Sequence, residues 1–130
     1  MVAPKDVKSR LVSQYRFSPE TVEIAWRARF KCEYCSADLL ESVDDYEYNW
    51  EREHVVPTDA DGPDAFENWA LSCRRCNQFK GKWNPMTVTR AGADRDELVA
   101  AARQYVQGML ATRQQELAEV RTLVAAHLAL

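Results

Sequence analysis

Asn68-Trp69-Ala70-Leu71-Ser72-Cys73-Arg74-Arg75-Cys76-Asn77-Gln78-Phe79-Lys80-Gly81 is the stretch on which the fold turns. It holds one Cys-x2-Cys pair, Cys73/Cys76. A second, Cys32/Cys35, stands upstream, with 37 residues between Cys35 and Cys73. Inside that bracket lies Glu53-His54; Asn68 follows His54 by 14 positions and Asn77 follows Asn68 by nine. Zinc takes four ligands at the corners of a tetrahedron, and two such knuckles supply four thiolates from two short turns. The clasp would join distant segments and fix whatever lies between them, His54 included. A redox dithiol would need only one pair; a [4Fe–4S] cluster or disulfides remain alternatives. Four thiolates saturate zinc, so the ion would be structural and His54 would not be needed as its ligand.

Size and composition narrow the class. At 130 residues the chain is one domain, small enough that a structural metal would help it fold. A hydrophobic share of 46% with 28% charged residues is that of a globular protein rather than a disordered one. The opening Met1-Val2-Ala3-Pro4-Lys5-Asp6 lacks the apolar stretch of a secretory signal, and no apolar run is long enough for a membrane span. The expectation is a cytoplasmic protein that makes no membrane contact, whose cysteines are ligands. Net charge is −3, which argues mildly against a nucleic-acid binder. The distribution argues the other way. Residues 1–31 carry seven Lys/Arg against three acids, and residues 32–67 carry twelve acids against Arg52 alone. Residues 68–90 hold Arg74, Arg75, Lys80, Lys82 and Arg90 with no acid. Beside a metal-and-histidine site, that basic stretch reads as a phosphate-contacting surface and the acidic one as a wall that attracts cations.

Local signals place the elements. Ser18-Pro19-Glu20 predicts a helix start, with Ser as N-cap, Pro in the first turn and an acid beside it; the helix is expected over 18–31. Residues 46–56 alternate aromatic with polar and read as a strand, stopped by Pro57 and followed by a turn at Asp61-Gly62-Pro63. Residues 64–72 read as a short connection. A second helix is expected from near Cys73 through Phe79 towards Lys82, closed by Gly81 and Pro85. Asp94 and Glu97 stand at capping-box spacing ahead of a helical segment over 94–130. Val99, Ala102, Val106, Met109, Leu117, Val120, Val124 and Leu128 follow a three-to-four spacing there, with Gly108 or Ala111-Thr112 as candidate breaks. That segment either packs on the core or meets a second copy or a protein partner. Trp50, Trp69 and Trp83 could stack on bases, although core packing is the plainer reading of Trp50 and Trp69. His127 lies apart from the motif.

Cys32-Glu33-Tyr34-Cys35, then Glu53-His54-Val55-Val56-Pro57, then the run from Asn68 to Gly81 resemble the HNH endonucleases, also called ββα-metal or His-Me finger nucleases, in their zinc-bracketed form. The resemblance covers residues 30–83. It implies an α+β fold: a small ββα-metal core over 32–85 with a Cys₄ zinc site, flanked by an N-terminal helix and a long C-terminal helical segment, all in one domain. It also implies roles. His54 would be the general base that activates water, and Asn68 the residue that braces the loop and orients it. Glu53 and Asn77 would hold a catalytic cation, making this an H-N-N variant. A carboxylate paired with an amide oxygen suits a hard cation, Mg²⁺ or Mn²⁺. Cys32, Cys35, Cys73 and Cys76 would hold structural Zn²⁺. Arg74, Arg75, Lys80 and Lys82 would contact phosphates of a nucleic acid, expected to be DNA. The activity implied is metal-dependent phosphodiester hydrolysis. The alternative is a zinc-ribbon module that grips nucleic acid or protein with its nuclease site decayed.

Overall fold

Side-chain caps and left-handed residues set the ends of most elements. The computed structural model describes residues 2–129. Its helices are α1 Pro4–Ser13, α2 Pro19–Arg27, α3 Val43–Tyr48, α4 Arg74–Lys80 and α5 Arg95–Ala125; its strands are β1 Glu51–His54 and β2 Trp69–Ser72. Three single 3₁₀ turns link them. Ser18 caps α2 as expected, accepting a hydrogen bond from the Thr21 backbone N–H. The helix stops at Arg27 rather than 31 because Arg29 and Phe30 both turn left-handed, at φ 56° and 58°. Helix α1 carries Pro4 in its first turn and Asp6 beside it; the sequence reading passed over it.

Two expectations are corrected. The strand expected over 46–56 is only Glu51–His54, and Tyr46-Glu47-Tyr48 belongs to α3. Ser42 accepts from the Asp45 N–H, and Asp44 and Asp45 sit in the first turn, where acids favour a helix; this outweighs the aromatic alternation. The connection expected over 64–72 contains β2, which pairs antiparallel with β1 in the register Glu51↔Ser72, Arg52↔Leu71, Glu53↔Ala70 and His54↔Trp69. Helix α4 follows β2 after one residue, Cys73, whose sulfur caps it; Gly81 closes it at φ 49°. Two antiparallel strands and the helix behind them make the ββα unit, and the fold is α+β.

Ile24 and Ala25 of α2, Tyr34, Leu39, Val55, Leu71, and Val99, Ala102 and Val106 of α5 form one buried cluster around this unit. A fully buried Leu, Ile or Val contributes about 1.5–3 kcal/mol. Trp50 belongs to this interior edge, donating from Nε1 to the Leu39 carbonyl at 3.0 Å. Trp83 stacks on Tyr105 with ring centroids 4.3 Å apart. Helix α5 runs unbroken through Gly108 for 31 residues, about 46 Å at ~1.5 Å per residue. Its first half docks. Besides the apolar face, Arg95 reaches Glu33 Oε1 at 2.8 Å, Arg103 donates to the Glu33 carbonyl, and Gln107 donates to the Tyr34 carbonyl at 2.8 Å. Residues 111–123 are exposed throughout. Among the described residues no helix is long and apolar enough to cross a membrane.

Candidate active site

The four cysteines converge. Cys32 and Cys35 come from the turn after α2, Cys73 and Cys76 from the β2–α4 junction, and their sulfurs all lie within 4.8 Å of one another. A zinc ion with ~2.3 Å bonds to sulfur needs tetrahedron edges of roughly 3.8 Å. Cys35 Sγ and Cys73 Sγ are 3.8 Å apart. All four cysteines are free of disulfides. Hydrogen bonds from the Cys73 and Cys76 side chains hold the Cys32 thiol far below its ordinary range, and the bond to Cys32 pushes Cys73 up to about 11. Thiols this close compete for their protons, and a divalent cation is what would let all four ionise. The donor set fits zinc.

Helix α4 packs against β1 and helix α2 against β2, and alternation sends the side chains of β1 to opposite faces. His54 and its cross-strand partner Trp69 share one face, with ring centroids 4.0 Å apart. Arg52 lies on the same face, 4.9 Å from the Trp69 ring centroid. Beside them, a groove of about 650 Å³ is walled by Glu20 and Glu23 of α2 and by Arg52, Phe66 and Trp69. The His54 side chain is 24% exposed, and its Nε2 lies 2.5 Å from Asp64 Oδ1.

Glu53 faces the other way. Its side chain is 4% exposed and lies 2.7 Å from Lys80 Nζ. The Tyr34 hydroxyl donates to its second oxygen. Burial raises the Glu53 carboxyl above its usual range, against the opposing pull of Lys80 and the Tyr34 hydroxyl. A carboxylate already occupied by an ammonium and a phenol is not a free cation ligand. The reading of Lys80 as a phosphate contact is corrected for the same reason. Its side chain is wholly buried, and Nζ also donates to the carbonyls of His54 at 3.0 Å and Trp83 at 3.2 Å. Three donors meet three acceptors, so Lys80 pins α4 to the end of β1.

Asn68 is buried at the end of the β1–β2 loop. Its Oδ1 accepts from the Val56 N–H at 2.8 Å, while Nδ2 donates to the carbonyls of Val56 and Pro63, each at 2.9 Å. One amide therefore ties the residue two beyond His54 to the residue just before Asp64. Asn77 sits half-buried in α4, and its side chain makes no hydrogen bond to Glu53 or His54 among the described residues. The structure places Glu53 and His54 on opposite faces of β1. Arg74, Arg75 and Lys82 are exposed; Arg74 lies 3.7 Å from Glu51, and Lys82 lies 3.0 Å from Asp59.

Two residues escaped the sequence reading. Tyr34, between the first two cysteines, carries the Glu53 contact into the Cys32–Cys35 turn; its aromatic character there was the available signal. Asp64 had none, because no spacing rule links it to His54. The family model described as HNH endonuclease matches residues 32–82. No curated protein and no solved structure matches the chain.

Proposed function

We propose, on the premise that residues 32–82 belong to the HNH endonuclease family, that this chain hydrolyses phosphodiester bonds in nucleic acid, with DNA as the substrate and His54 as general base. The observation that carries this reading is the partly exposed imidazole at the end of β1, held by the ββα unit that the cysteine cluster closes. An imidazole takes and returns protons near neutral pH, which suits it to deprotonating the attacking water. His54 would take that proton, and the groove beside Trp69 would admit the strand. Arg74, Arg75 and Lys82 would steady the flanking phosphates, adding affinity without reading sequence.

The expected catalytic cation, Mg²⁺ or Mn²⁺ on Glu53 and Asn77, does not fit this arrangement, because Lys80 and Tyr34 hold the Glu53 carboxylate. The same observation favours the second reading, a zinc-bracketed module that grips nucleic acid without cutting it. The exposed second half of α5, with Leu117, Val120 and Leu123, would serve as a contact for a second copy or another protein. A monomer in sedimentation that captures no partner would count against that contact.

Supercoiled plasmid incubated with the zinc-loaded protein in Mg²⁺, in Mn²⁺ and in EDTA separates the two readings. Conversion to nicked or linear plasmid supports the nuclease. Tight binding with intact plasmid in all three conditions supports the binding module.

A further inference from the structure

Two carboxylates stand near His54, and the buried pair with Lys80 removes Glu53 from its face. Asp64 remains. Its side chain is 78% exposed, and its one side-chain hydrogen bond among the described residues is the 2.5 Å contact to the ring. Building on the nuclease reading, we propose that Asp64 is a positioning residue for His54: its carboxylate holds the imidazole with the hydrogen on Nε2 and presents Nδ1 as the proton acceptor. An ionised carboxylate can only accept a hydrogen bond, so Nε2 must donate, and the neutral ring then keeps its lone pair on Nδ1. A ring free to change tautomer would spend part of its time with the wrong nitrogen bare.

The loop is built to fix this contact rather than to allow it by chance. Asp61 takes the left-handed conformation at φ 62°, and the Gly62 N–H returns to the Pro57 carbonyl at 2.9 Å. A Cβ on Gly62 would stand 1.8 Å from the Val56 carbonyl oxygen, so only glycine lets the chain cross there. The buried Asn68 amide then holds both Val56 and Pro63. Trp69 restrains the ring from its flat side. Around the pair, Arg52 on the same strand face and Lys80 beneath the His54 carbonyl are the nearby cations, and Glu20 and Glu23 of α2 are the acids across the groove. None of these has a hydrogen bond to the ring, so among the described residues Asp64 alone sets its tautomer.

The chain has two histidines. In a His127→Gln background, ¹⁵N shifts of the zinc-loaded protein therefore report His54 alone. With the ring neutral, Nε2 should carry the hydrogen in the parent, and Asp64→Asn should give a mixture of tautomers. Single-turnover plasmid cleavage by Asp64→Asn should slow by about 10²–10⁴-fold, the span that general-base catalysis contributes. Plasmid affinity, zinc content and circular dichroism should be unchanged, and Asp64→Glu should recover part of the rate. An Asp64→Asn protein with the parent's tautomer, or cutting within about threefold of the parent's rate, overturns the inference while leaving the nuclease reading intact. A parent that cuts no plasmid overturns both.

Discussion

Lys80 shows how a residue's chemistry depends on where its backbone puts it. Read in sequence it belongs to a basic run; folded, it is a buried cation whose one counter-charge among the described residues is Glu53 at 2.7 Å. Breaking such a pair costs more than the pair contributes, because the survivor keeps its charge without a partner. Glu53→Gln should therefore destabilise the zinc-loaded protein by about 3–5 kcal/mol, with Lys80→Met doing the same. The double variant should recover most of the loss. Urea titrations of all three would check this, and additive losses would show the two side chains acting independently. Asp64 gives the complementary lesson. Ten positions separate it from His54, and only the folded loop brings the two together, so nothing in the residue pattern could have singled it out.

The elements were legible where a cap announced them. Ser18-Pro19 at α2, Cys73 and Gly81 at α4, and Asp94 at α5 each marked an end that the structure keeps. Strand β2 was not legible. Trp69-Ala70-Leu71-Ser72 is four residues long and buried along most of its length, so it lacks the alternation by which a half-exposed strand is recognised. The β1–β2 loop was legible only in part: its turn residues were visible, whereas its closure by one amide was not. Asn68→Ala would remove that closure and leave the Val56 N–H and C=O buried without partners. A loss of about 2–6 kcal/mol in denaturant unfolding is expected, from roughly 1–3 kcal/mol for each of the two orphaned groups. A change under 1 kcal/mol would mean that the loop holds its shape without the side chain.

For the whole molecule, the cysteine spacing carried more than any helix or strand signal, because it announced a contact between distant segments. The same clasp brings the Glu53–Tyr34 contact, the α5 anchors on Glu33 and the start of α4 into one body. Cys73→Ser removes a thiolate and weakens the cap of α4 at once. It should lose bound zinc and cooperative unfolding together, since metal binding and folding share one free energy. Full stability with no zinc bound would show the apolar core to be sufficient alone.

Single-turnover cleavage of supercoiled plasmid by His54→Ala, run beside the parent protein at matched zinc content and circular dichroism, tests the central claim most directly. The account predicts a rate at least about 10²-fold lower with the fold and zinc intact, the smallest loss expected when a general base is removed. Cutting at the parent's rate would contradict it and place the chemistry elsewhere on the molecule.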